Sequence, residues 1–151
     1  MNPAAKLRLV STDFDGTIHE DLVRPGIPHA LQHKLAALQK SGVTWVINTG
    51  RDLASLQSSL EHADIGVRPD YVVVVERNIF RRVGSSDYVP VEPWNSNCTL
   101  EHSGLFDEMA VHLTQLEDHL RRNFRAQLYA DPYSPLCIIA SDDLQMDQIE
   151  S

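Results

Sequence analysis

At 151 residues, with 42% hydrophobic and 23% charged side chains, the chain suits one soluble globular domain with an appended subdomain. A formal net charge of -8 argues against nucleic acid, whose phosphates call for a basic surface. No apolar run approaches the ~20 residues of a membrane span, and Met1–Lys6 leads into no signal-peptide core, so the expected location is cytoplasmic. Cys98 and Cys137 have neither disulfide nor zinc-knuckle spacing and read as free thiols.

The stretch Leu7–Ile18 organises the rest. An apolar run with a β-branched finish reads as a buried strand, and it stops at Asp13-Phe14-Asp15-Gly16-Thr17. Two carboxylates one residue apart therefore sit at a strand's carboxyl end, where open α/β sheets bind ligands. Their repulsion is about 3 kcal/mol at ~5 Å and an effective dielectric near 20, which a cation or a shared proton relieves. Magnesium suits that need, because it takes one or two carboxylates together with phosphate oxygens and water. Asp13 is then placed to attack phosphorus, and Asp15 to protonate the departing alkoxide. Gly16 lets the chain turn away and leaves the N–H groups of Phe14 to Gly16 open to anionic oxygens. Taken alone, Asp-x-Asp-Gly is also an ordinary turn after a strand.

The whole pattern, apolar strand then Asp-Phe-Asp-Gly-Thr, resembles the first motif of the haloacid dehalogenase (HAD) superfamily. That resemblance implies a magnesium-dependent phosphatase working through an aspartyl phosphate, with Asp13 and Asp15 as catalytic and metal-binding residues.

A polar loop from Ile18 to Gly26 precedes a helix opening at Pro28, with Leu31, Leu35 and Leu38 as its core stripe and Gly42 as its stop. His29 and His33 stand four apart on it, with no third ligand nearby. Val43–Asn48 is a second strand, followed by Thr49-Gly50-Arg51 and by Asp52 as an N-cap. A crossover of this length makes the two strands parallel neighbours, so Thr49 and the Gly50 N–H arrive beside the twin acids. Asn48-Thr49-Gly50-Arg51 resembles the second motif in the Cof-type and sucrose-phosphatase-like branches, which implies that Arg51 contacts phosphate or substrate. A surface arginine paired to an acid is the alternative.

Leu53, Leu56 and Leu60 carry the next helix, and Tyr71–Val75 is a third strand, apolar throughout and read as buried on both faces. Glu76-Arg77-Asn78 follows where Cof-type relatives carry Asn-Gly. Ile79–Val83 and Tyr88–Val91 form a hairpin across Gly84–Asp87. A loop with Pro93, Trp94, Asn95 and Cys98 marks a boundary, and an amphipathic helix runs from about Gly104 to Asn123. His112 and His119 read as surface residues on it. Ala126–Ala130 and Leu136–Ala140 are two strands. Ser141–Ile149 is either a capped helix start, or, through Asp142, Asp143 and Asp147, a relative of the acidic fourth HAD motif.

The expected fold is α/β, a partial Rossmann-like parallel three-stranded core over residues 1–92, with the first half of an α+β cap over 93–151. No lysine follows Lys40, and no arginine stands in a third-motif context before Asp142, so the family's cationic third motif is expected to be missing, and the chain looks like the N-terminal, truncated part of such an enzyme. Weak or absent activity follows, on a small phosphorylated substrate. The alternative is a non-catalytic phospho-ligand-binding or interaction module on the same fold. Receiver-type and dinucleotide-binding readings lack their distal lysine and their Gly-x-Gly-x-x-Gly. The nucleophile strand is expected at an exposed sheet edge, which invites self-association.

Overall fold

The computed structural model describes residues 6–20, 22–63 and 65–150. Met1–Ala5, on which the signal-peptide reading falls, and Asp21 of the first loop lie outside the described residues, as do Asp64 and Ser151. Two compact units divide between Cys98 and Thr99.

The first unit is a five-stranded sheet in sequence order, β1 (Leu9–Thr12), β2 (Thr44–Asn48), β3 (Tyr71–Val74), β4 (Asn78–Val83) and β5 (Asp87–Pro90). β1, β2 and β3 are parallel, with Leu9 opposite Thr44 and Val46 opposite Tyr71. β4 and β5 continue the same sheet antiparallel, so the three-stranded parallel core expected from the sequence is extended by its own hairpin. Helices α1 (His29–Lys40) and α2 (Leu53–His62) are the crossovers. Strand order advances in one direction, which puts both helices on one face. Leu35 of α1 and Leu56 and Leu60 of α2 bury there against Phe14, Trp45, Ile47, Val72 and Val74.

That one-sided cover corrects the reading of β3. Val72 and Val74 are buried, while Tyr71 and Val73 stay half-buried, because a strand that is apolar throughout looks the same in sequence whether one face or both are covered. Local signals set the helix ends. α1 starts after Pro28, and Gly42 takes the left-handed conformation, φ +86°, that ends it. Buried Gln32 is satisfied from both ends: it donates to the Ile27 carbonyl and accepts from the Gly66 N–H. Asp52 caps α2 by accepting the Ser55 N–H at 2.7 Å.

The β3–β4 connection is tight. Val74 pairs with Asn78, leaving Val75, Glu76 and Arg77 to reverse the chain. Val75 and Glu76 have φ of +45° and +61°, which costs about 1–2 kcal/mol for each residue bearing a Cβ. The β-branched valine is the less suited of the two.

α3 (Trp94–Asn123) begins ten residues before the position expected from its leucine pattern. Asn, Ser, Cys and Thr are weak helix formers, yet contacts outside the helix hold this turn. Ser96 donates its N–H and its hydroxyl to Glu92, the Asn95 side chain brackets the Ile79 backbone, and the Trp94 indole donates to the Arg77 carbonyl. Pro93, read as a loop breaker, stands where proline also opens helices.

In the second unit, β6 (Ala126–Tyr129) pairs antiparallel with β7 (Cys137–Ala140), and Leu120 of α3 is buried. α4 (Asp143–Glu150) is capped by Asp142, which accepts the Gln145 N–H at 2.9 Å. Of the two readings of Ser141–Ile149, the structure takes the helix cap. No helix among the described residues is long and apolar enough to cross a membrane.

Candidate active site

The parallel register places Thr12 opposite Ile47, so β1 and β2 end together and hand their next residues to one edge. There Asp13 and Thr49 line a single cleft of about 390 Å³ with Ser11, Asn48, Gly50 and Glu76. Thr49 is buried, its N–H bonded to the Val73 carbonyl. Its Oγ1 accepts the Arg51 N–H at 3.2 Å, which leaves the hydroxyl proton to donate elsewhere. Asp13 is exposed, and its Oδ2 accepts the Thr17 hydroxyl at 3.0 Å.

Phe14 points the opposite way, fully buried, and anchors the loop. The His19 ring stacks on it at 4.5 Å, and the Arg51 guanidinium lies 5.3 Å from its centroid. Gly16 adopts φ +68°, the conformation glycine tolerates best. Its N–H, expected to face an anion, instead donates to the His19 carbonyl at 3.1 Å. A compact turn closing on the Phe14 and His19 carbonyls uses that donor internally.

Arg51 has an acid partner within the site, and the pairing leaves its expected contact with phosphate open. Its guanidinium forks onto Asp15, Nε donating to Oδ2 at 2.8 Å and Nη2 to Oδ1, while Nη1 donates to the Ser59 hydroxyl at 2.6 Å. Both oxygens of Asp15 accept from the guanidinium in this arrangement, so a cation held by Asp13 and Asp15 together would share Asp15 with Arg51 or draw it away. Magnesium still fits, since one carboxylate with phosphate oxygens and water suffices, and Asp13 presents that carboxylate. Among the described residues no group of three or more His, Cys, Asp or Glu is placed to hold a metal. His29, His33, His112 and His119 are exposed.

Sequence reasoning missed Ser59, which joins the site through Arg51, and read Glu76 only as a departure at the end of the third strand. It also missed Asp70, whose network lies at the other end of the sheet. There Asp70 accepts from Gln39, the Trp45 N–H and Arg82 at 2.9–3.0 Å.

No family model and no curated protein matches the chain. Solved structures do. The sucrose-phosphatase from Synechocystis sp. PCC6803, solved in complex with sucrose and phosphate, aligns with TM-score 0.53 and 16% identity over 95% of this chain and 53% of its own. A haloacid dehalogenase-like hydrolase from Bacillus subtilis, yhjK, aligns at 0.48 and 14% over 97% and 58%. BT1666 from Bacteroides thetaiotaomicron, a HAD-superfamily phosphatase, aligns at 0.44 and 23% over 71% and 38%. This chain thus spans 38% to 58% of the length of these three. These structural neighbours are HAD-superfamily hydrolases, a sucrose-phosphatase among them, and the mixed α/β fold with a parallel-stranded sheet is the one this chain shares with that sucrose-phosphatase.

Proposed function

We propose that this chain carries the phosphoryl-binding part of a phosphoric monoester hydrolase that acts on a small phosphorylated substrate through an aspartyl phosphate on Asp13. The observation that supports it is the convergence of Asp13 and Thr49, from two adjacent parallel strands, on one cleft. An Asp13 oxygen attacks phosphorus, forming the aspartyl P–O bond as the ester P–O bond breaks, and water later hydrolyses the acyl phosphate. The Thr49 hydroxyl and the Gly50 N–H are the donors for the phosphoryl oxygens. Asp13 would hold magnesium, which when bound would neutralise those oxygens.

Asp15 is the proton donor to the departing alkoxide, and Arg51 sets when it can act. A proton on either Asp15 oxygen would face a guanidinium donor, so the fork must open first. Incoming phosphate is a second bidentate partner for Arg51. In taking the guanidinium it frees an Asp15 oxygen to take up a proton from water and pass it to the departing alkoxide.

No lysine follows Lys40 to balance the anionic charge, so turnover by this chain is expected to be slow. The test is release of inorganic phosphate from p-nitrophenyl phosphate in magnesium. Loss of the signal both in Asp13→Asn and on chelation is the expected outcome, and indifference to both would overturn the reading.

A further inference from the structure

The strained turn between β3 and β4 lies against the phosphate cradle. Val75 and Glu76 both take left-handed backbone, which short hairpins ordinarily give to Asn and Gly. The turn is nonetheless tied to the β2–α2 loop at two points. The Val75 N–H donates to the Arg51 carbonyl at 3.0 Å, and the Glu76 N–H to the Thr49 carbonyl at 3.4 Å. Glu76 is thereby held in the lining of the cleft beside Asp13 and Gly50. A Cβ built on Gly50 would come within 3.8 Å of Glu76 Oε1, so this carboxylate stands beside the bare backbone of the cradle. Strain of this kind persists where the conformation it enforces has a use.

Charge indicates the use. Arg51 neutralises Asp15, which leaves Asp13 and Glu76 as the acids lining the cleft. Glu76 repels a phosphoryl group, so it adds nothing to the grip on phosphate itself. A carboxylate there can face the cation that Asp13 would hold, but it distinguishes one ester from another only when the rest of the ligand brings a donor to it.

We propose that the Val75–Glu76 turn makes Glu76 a specificity-determining residue, selecting phosphoric monoesters whose alcohol carries a hydroxyl or ammonium donor near the ester oxygen over esters of donor-free alcohols. This rests on the phosphatase reading and refines its substrate class.

Calorimetry of the full chain in magnesium with inorganic phosphate, ethyl phosphate, glycerol phosphate and phosphoethanolamine tests it. The unaltered chain should bind the better donor-bearing ester about tenfold more tightly than ethyl phosphate. Glu76→Gln, nearly isosteric, should lose the ammonium preference and keep part of the hydroxyl preference, and Glu76→Ala should lose both. A ratio near one in the unaltered chain, or one that survives Glu76→Ala, overturns the proposal, while phosphate binding with phosphate release from p-nitrophenyl phosphate leaves the phosphatase reading standing. Absence of binding by inorganic phosphate and all three esters overturns both. A ligand-free arm tests the strain: Val75→Asn with Glu76→Gly should raise the Tm by about 3 °C or more, and an unchanged or lower Tm shows that no strain is stored.

Discussion

Asp70 shows what a single carboxylate does away from the cradle. Burial, the largest single influence, pushes its carboxyl up, but hydrogen bonds from Gln39, the Trp45 N–H and Arg82, with the charge of Arg82, together hold it below its ordinary value. A lowered folded-state value means that folding favours the ion. The stabilisation is complete above the usual Asp range near 4 and fades as pH falls through the folded-state value. Asp70→Asn should therefore cost about 1 kcal/mol at pH 7, a modest figure because solvent reaches the pair. Its deficit should shrink in more acid solution. Denaturant titrations at neutral and acid pH check this, and an equal deficit at both would assign the effect to packing instead. Residues such as Asp70 and Ser59 are illegible in the sequence because their partners stand on other elements. Asp13, Asp15 and Thr49 could be read because each follows a strand directly, and the crossover rule brings two strand ends to one edge.

Elements were legible where local chemistry specifies their ends and illegible where tertiary contacts do. The cap of α2 belongs to the first kind: Asp52 sits one residue before the leucine stripe and accepts the Ser55 N–H. The start of α3 belongs to the second, since Glu92, Asn95 and Trp94 reach β4 and the turn before it, or the helix's own first turn, through side chains that propensity does not weigh. The α2 cap also bears on the site. Asp52 follows Arg51, so fraying of that first turn loosens the Thr49–Arg51 loop. Asp52→Ala should lower stability by about 1 kcal/mol, and it should weaken phosphate binding by more than Ser55→Ala, which leaves the capping N–H in place. Thermal unfolding and calorimetry of both variants separate the effects. Equal phosphate affinity in the two would detach the cap from the cradle.

At the scale of the molecule, the sheet of the first unit has an edge that its order leaves open. Among the described residues β1 pairs only with β2, and Leu7 and Leu9 are each 53% exposed. Unpaired backbone groups flanked by apolar side chains form a template for another strand. A second copy offers the same edge, and pairing β1 with β1 about a twofold axis is self-complementary and closed. We therefore expect light scattering to report a mass rising from 17.0 kDa towards twice that with concentration. Leu9→Lys should suppress the rise without lowering the Tm, because a lysine at this exposed position replaces no core contact and charges the edge. Since Asp13 follows the last residue of β1, a strand added there ends beside the cradle, and ligand and partner become linked by mass action. Magnesium with inorganic phosphate should then shift the concentration at which mass rises in the unaltered chain and leave Leu9→Lys monomeric. A constant 17.0 kDa at every concentration, with and without ligand, would show that the edge is silent and that the cradle works in isolation.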